Sequence, residues 1–180
     1  KELMLTYEVV KHNVKSLIEK LKEYEEDFLP MELEERKKYY YKKRTEFNND
    51  KKELNFDEIN EKVIKHASHF IFLNRTCFNG LYRQNKKGEF NVPIGRYKNP
   101  TICNEDALKA ANKLFKNTKL LTGDFEKTEK YIDENTFAYM DPPYRPLPGT
   151  SSFTNYSRAD FNEESQIRLA EWFKKLDGRS

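Results

Sequence analysis

Cysteine is nearly absent: Cys77 and Cys103 are the only two in 180 residues, and they fit neither a metal-ligand spacing nor a disulfide framework. That usage argues against a disulfide-stapled secreted domain and suits a reducing, cytoplasmic setting. No apolar run approaches the length of a membrane span, and no signal-peptide pattern opens the chain. Glycine is sparse too, with six residues. None of them builds a glycine-rich strand-to-helix turn before residue 74, so the usual nucleotide-binding element is missing from that stretch. No internal repeat or low-complexity tract appears. Net charge is only +3, which by itself selects no partner. The remaining composition, 37% hydrophobic and 35% charged, suits one globular domain with room for a small appended module.

The charge that is present is segregated. Residues 17–35 hold eight acidic side chains against two basic ones, residues 36–52 hold eight basic against two acidic, and residues 75–98 hold six basic against one acidic. Basic blocks interleaved with aromatics and amides suit a phosphate backbone, and the first block reads equally well as a solvated helix face.

Helices come first along the chain. Leu3, Tyr7, Val10, Val14, Leu17, Leu21 and Tyr24 recur at spacings of four and three, one stripe of a long amphipathic helix. A basic, tyrosine-rich helix is expected around Leu33 to Phe47. Another carries Ile59, Val63, Ala67, Phe70 and Ile71, with Asn55 or Asp57 as its cap and His66 and His69 as packed or solvated residues. From Asn74 to Tyr97 the helical period fails. Asn79-Gly80 and Lys87-Gly88 are turn signals, and Phe90 to Val92 read as a short strand that Pro93 and Gly95 break. Asn104 then caps a helix to about Phe115, Lys119 to Thr122 read as a strand, and Gly123-Asp124-Phe125 as the turn after it. A final helix from about Asp160 to Leu176 turns Leu169, Trp172, Phe173 and Leu176 inward.

Between these elements the run Phe137-Ala138-Tyr139-Met140 reads as a short buried strand, and Asp141-Pro142-Pro143-Tyr144 ends it, because proline supplies no ladder N–H. Strands alternating with helices imply a parallel sheet in an α/β layer, with Asp124 and Asp141 at the carboxyl ends where ligands bind. The turn has a specific chemical use. The exocyclic amine of adenine is a poor nucleophile because its lone pair is delocalised into the ring. The Asp141 carboxylate and the Pro142 carbonyl, held by a stiff backbone, can each accept one N–H and free that lone pair, while Tyr144 offers a stacking face for an extruded base. The same tetrapeptide is also an acceptable polar turn, though its chance occurrence in a chain of this length is on the order of one in a thousand.

With NRTCFNGLYR, GEFNVP-GRYK, TGDFE and DPPY in this order, the chain closely resembles the DNA adenine-N6 methyltransferases of the DNA adenine methylase (Dam) family, over residues 1 to about 176. The resemblance implies part of a Rossmann-like, S-adenosylmethionine-dependent methyltransferase sheet plus a mostly helical target-recognition region. Residues 1–29 would be a helix of the catalytic domain, 30–103 the recognition region with its DNA-reading segment at 74–98, and 104–180 the catalytic α/β part. It implies that Asp141, Pro142 and Tyr144 are catalytic and that Asp124, Phe125 and Asp141 meet the methyl donor. For double-stranded DNA it implies Arg83 on a guanine, Leu81 and Pro93 on a thymine methyl, Asn79 and Tyr97 on backbone or base pairs, and Phe78 as a wedge. Arginine is the usual bidentate partner of guanine, and apolar groups meet the thymine methyl, so these roles agree with the residue chemistry. Lys86, Lys87, Arg96 and Lys98 would contact phosphate. The matching residues suggest a GATC-type site, with longer sites containing GAT as the variant reading. The expected reaction is direct methyl transfer without metal or covalent enzyme intermediate, so Cys77 and Cys103 are expected to be packing residues.

The family's N-terminal donor-binding part and its final strands have no counterpart here, so the chain reads as an internal fragment. Two alternatives follow: a noncatalytic DNA-binding fragment, or a methyltransferase acting on an RNA base or a protein amide. A cytoplasmic, nucleoid-associated protein is expected, with no membrane partner and with a cognate restriction endonuclease possible in the same system.

Overall fold

A computed structural model describes residues 2–51, 54, 58–143 and 161–177, which fall in two compact units divided at Thr122 and Gly123. The first unit contains α1 (Glu2–Phe28), α2 (Leu33–Asp50), α3 (Glu61–Thr76) and α4 (Glu105–Lys116). The second contains a 3-10 turn (Phe125–Tyr131) and α5 (Glu163–Asp177). No helix among the described residues is long and apolar enough to cross a membrane.

Helix α1 does not bury a single stripe. Asn13 leaves helical geometry (φ −135°, ψ 36°), so the buried face shifts phase across it. Before the kink Leu5, Val9 and Val10 are buried, and after it Leu17, Ile18, Leu21, Tyr24 and Phe28. Leu3, expected in the core, is 48% exposed. Helix α3 is capped by Asn60, whose Oδ1 accepts from Val63 N at 3.1 Å, whereas the expected caps Asn55 and Asp57 lie outside the described residues. Asn104 caps α4 as expected, accepting from Ala107 N at 3.1 Å.

The core of the first unit is aromatic. Phe28 meets Phe72 edge-on at 5.3 Å, and Tyr40 and Phe47 are fully buried. Each such side chain contributes about 1.5–3 kcal/mol by leaving water. His66 and His69 belong to this core: His66 stacks on Phe47 at 4.3 Å and His69 on Tyr24 at 5.5 Å, and among the described residues none hydrogen-bonds their ring nitrogens. Burial holds the His66 imidazole down to about 4.

The expected Rossmann-like α/β sheet is overturned. Among the described residues there is no β-strand, only the isolated antiparallel bridges Cys77 to Ile94 and Gln84 to Phe90. The strands expected at Lys119 to Thr122, Phe137 to Met140 and Phe90 to Val92 are not formed. A strand's N–H and C=O groups need a neighbouring strand, and β-propensity only says that a side chain fits a pleated, half-buried surface. Without such a neighbour, Phe137 and Tyr139 are 90% and 79% exposed rather than buried. In the second unit Leu169, Trp172 and Leu176 of α5 gather Phe125, Ile132, Met140 and Phe161, while Phe173, expected inward, is exposed.

Candidate nucleic-acid interface and the DPPY turn

The segment from Cys77 to Lys98 is a pinned ribbon. After the α3 cap the chain turns at Asn79, whose φ of 53° is left-handed, a conformation asparagine tolerates better than most residues. Phe78 N donates to Pro93 O at 2.9 Å and Gly95 N to Thr76 O at 2.8 Å, closing the base of the ribbon. At its tip Asn91 N donates to Arg83 O at 3.1 Å and Asn85 N to Glu89 O at 2.9 Å, around a turn completed by Gly88 at φ +76°. Asn85 Oδ1 also accepts from the backbone N–H groups of Lys87 and Glu89, at 2.9 and 3.0 Å.

This ribbon sorts its side chains. Cys77, Phe90 and Val92 are buried, and Tyr82 and Ile94 lean on the same core. Phe78, Asn79, Leu81, Arg83, Lys87, Pro93, Tyr97 and Lys98 are all exposed. These eight, with Lys86 and Arg96, which are exposed as well, are the ten residues expected to contact DNA, and all are carried on one ribbon, clear of its core. Arg83 Nε donates to Asn91 Oδ1 at 2.9 Å, and among the described residues its two Nη groups make no hydrogen bond. The Tyr97 ring lies over Gly95, where a Cβ would come within 2.5 Å of Tyr97 Cε2. Cys77 is fully buried, its Sγ 3.3 Å from Leu81 O, and burial pushes the thiol up to about 11, which fits a packing residue.

Part of the first basic block turns inward. Arg36, Tyr40, Arg44, Asn48 and Lys51 recur along one face of α2 and its end, and each reaches the backbone of the ribbon. Arg36 Nη1 donates to Lys98 O at 2.6 Å and, at 3.4 Å, to Tyr97 O. Tyr40 Oη and Arg44 Nη1 donate to Val92 O at 2.9 and 3.2 Å. Asn48 takes both backbone groups of Phe90, accepting from its N–H at 2.8 Å and donating to its carbonyl at 3.0 Å, and Lys51 Nζ donates to Gly88 O at 3.0 Å. Sequence reasoning missed these residues. Their spacing of four, and of three at Lys51, was the available signal, but a basic amphipathic face looks the same whether it meets phosphate or carbonyl oxygens. Lys37, Lys38 and Lys42 remain exposed.

In the second unit Asp141 is exposed and Pro142 half-buried, while Tyr144 lies outside the described residues. The Pro143 carbonyl accepts from Gln166 Nε2 of α5 at 2.7 Å, a tether that sequence reasoning also missed. Asp124 Oδ1 accepts from Glu126 N at 3.1 Å, and Asp124 Oδ2 pairs with Arg168 Nη2 at 2.6 Å. The Arg168 hydrogen bond, with that backbone N–H, holds the Asp124 carboxyl below its usual range. The same guanidinium lies 4.6 Å from the Phe125 ring centroid, and Trp172 meets that ring edge-on at 5.3 Å. Asp124 and Phe125 are therefore brought together under Arg168. No group of three or more His, Cys, Asp or Glu side chains that could hold a metal ion occurs among the described residues.

A type II methyltransferase of Methanocaldococcus jannaschii is 54% identical over 178 residues, covering 99% of this chain and 59% of that protein. A type II methyltransferase of Lactococcus lactis subsp. cremoris is 37% identical over 180 residues, again covering 99% of this chain and 59% of that protein. The DNA adenine methylase of Haemophilus influenzae is 36% identical over 138 residues, 77% of this chain and 44% of that protein. The chain thus spans at most about three fifths of these relatives' length. The family model for D12 class N6 adenine-specific DNA methyltransferases matches residues 1–180, and the chain belongs to that family.

Proposed function

We propose that this chain supplies the DNA-reading and amine-orienting part of an adenine-N6 methyltransferase that takes double-stranded DNA as substrate and S-adenosylmethionine as donor, at GATC-type sites. Residues 30–103 form the recognition region and residues 104–180 belong to the catalytic part. The observation that carries the reading is the sorted ribbon: every candidate DNA contact is exposed while Cys77, Phe90 and Val92 between them are buried. Such a surface offers guanidinium, amide, aromatic and apolar groups to a groove without disturbing its own core.

In this reading the Asp141 carboxylate and the Pro142 carbonyl accept the two N–H bonds of the target amine and pull its nitrogen toward tetrahedral geometry. Gln166 steadies that turn through Pro143. S-adenosylmethionine supplies the methyl group on a sulfonium. Asp124 and Phe125 fit its adenine end in kind, an acceptor beside an aromatic face. Arg168 engages both of them, so donor binding competes with this ion pair.

The test separates base reading from phosphate contact. Losing a bidentate guanine contact costs about 1–3 kcal/mol at one position, whereas losing a phosphate contact weakens all sequences alike and lowers the salt slope by about one. In the whole protein, Arg83→Ala is expected to lower discrimination between the target and a duplex with only its guanine substituted. Lys87→Ala is expected to leave discrimination unchanged and to reduce salt sensitivity. Equal weakening of both duplexes by Arg83→Ala, with the parental preference kept, would overturn the guanine assignment.

A further inference from the structure

Asn48 treats Phe90 as a neighbouring strand would. Its side-chain amide accepts the Phe90 N–H at 2.8 Å and donates to the Phe90 carbonyl at 3.0 Å, so one residue on a helix supplies both halves of a ladder rung. The next residue, Asn91, is tied to Arg83 twice: its N–H donates to Arg83 O at 3.1 Å, and its Oδ1 accepts from Arg83 Nε at 2.9 Å. A continuous path therefore runs from α2 through one peptide unit to the guanidinium. Holding Nε fixes the plane of that group and leaves the two Nη donors for a bidentate acceptor. The ribbon's own pairing leaves the Phe90 N–H and carbonyl to Asn48, since Gln84 to Phe90 is an isolated bridge and the ribbon's backbone hydrogen bonds here run from Asn91 to Arg83 and from Asn85 to Glu89. Asn48 is only half-buried and sits beside Phe47, whose fully buried ring stacks on His66 and anchors the helix at this level.

We infer that Asn48 is a specificity-determining positioning residue, which sets the register of Phe90 and Asn91 and through them aims Arg83 at its base. This rests on the proposed reading of Arg83 as the guanine contact. It differs from a fold-stabilising role, because a merely structural residue would weaken binding to all duplexes together. Its neighbours along α2 hold other stations of the ribbon: Tyr40 and Arg44 reach Val92, and Lys51 reaches Gly88. None of these touches the peptide unit next to Asn91.

The experiment measures binding of the whole protein to the target duplex and to the duplex with its guanine substituted, across a range of salt, for parent, Asn48→Ala, Arg83→Ala and the double variant. Asn48→Ala is expected to lower discrimination at the guanine by about tenfold, within the range of one bidentate contact, and to leave the salt slope at the parental value. The double variant is expected to discriminate no worse than Arg83→Ala alone, because both act on one contact. Asn48→Asp keeps the acceptor for the Phe90 N–H and sets a carboxylate oxygen against the Phe90 carbonyl in place of the donor, so it perturbs the same rung and serves if the alanine variant does not fold. It is expected to fall between parent and Arg83→Ala. Parental discrimination in the Asn48 variants, or losses that multiply in the double variant, would overturn the proposal while leaving Arg83 as the reader. Parental discrimination in Arg83→Ala would instead sink the underlying reading.

Discussion

Gly95→Ala is the most direct probe of how the ribbon holds Tyr97. A Cβ built on Gly95 would lie 2.5 and 2.8 Å from Tyr97 Cε2 and Cδ2 and 2.8 Å from Cys77 O, closer than side-chain carbons approach. The two clashes differ in kind. Tyr97 is exposed and its ring can swing away. Cys77 O cannot, because Cys77 bridges Ile94 and the Gly95 N–H is bonded to Thr76 O at 2.8 Å. Overpacking costs about 1–3 kcal/mol, and a backbone obstacle that cannot relax places this case near 2 kcal/mol, about a 30-fold shift in the folded-to-unfolded ratio. Tyr97→Ala alone removes an exposed ring and is expected to change stability by no more than about 0.5 kcal/mol. Combined with Gly95→Ala it removes a ring clash that the exposed ring already relieves by swinging away and leaves the carbonyl clash, so the double variant is expected to lie within about 0.5 kcal/mol of Gly95→Ala alone. Urea unfolding measures each variant, with an unchanged m value as the check that only stability has moved. An unaltered midpoint for Gly95→Ala, or a double variant restored to the stability of Tyr97→Ala, would refute the packing argument.

Three further outcomes follow from the same geometry. Asp141→Ala in the whole protein should abolish methyl transfer from labelled donor while leaving specific DNA binding largely intact, and turnover comparable to the parent would remove Asp141 from the role of amine acceptor. Arg168→Ala frees the Asp124 carboxylate and the Phe125 face, so donor binding measured by calorimetry should tighten, by no more than about fivefold for an exposed pair; weaker binding would mean that Arg168 supports the donor instead. His66 titrates lower in the folded protein than when unfolded, because burial outweighs the opposing pull of Glu2 and Lys51 adds to it. The unfolded chain then takes up the proton first as pH falls. Stability should therefore drop as pH falls from about 6.5 to about 4, by up to roughly 1.4 kcal/mol per pH unit for this group, and His66→Phe should flatten that slope in urea titrations at fixed pH.

The helices were legible because their signals are local. Asn104 announces α4, and the apolar spacing of α3 places Val63 and Ala67 in the core where they belong. Leu5 and Val9 were missed because Asn13 rotates the buried face of α1, and nothing in the spacing of apolar residues marks a kink at asparagine. The strands failed for a different reason. A run such as Phe137 to Met140 reports that its side chains suit a sheet, but its pairing belongs to other parts of a chain and cannot be read from the run itself. For the candidate site, the turns at Asn79 and Gly88 were visible because positive φ selects residue type. The grip of α2 on the ribbon was not, since Asn48 and Phe90 lie far apart in sequence and an asparagine at the end of a basic helix carries no mark of its partner.

The hydrogen bonds that α2 and its end send to the ribbon finish on main-chain atoms: the carbonyls of Gly88, Phe90, Val92, Tyr97 and Lys98, and one peptide N–H. Such a grip is blind to which side chain the gripped residue bears. The outward positions at Leu81, Arg83, Pro93 and Tyr97 can then be exchanged, one letter at a time, without re-forming the scaffold beneath them. A reading surface mounted in this way separates the chemistry of recognition from the cost of folding, so altered target preference is reachable by single substitutions that the protein survives. Gly95 alone among its neighbours lacks that freedom, because there the scaffold and the reading surface touch.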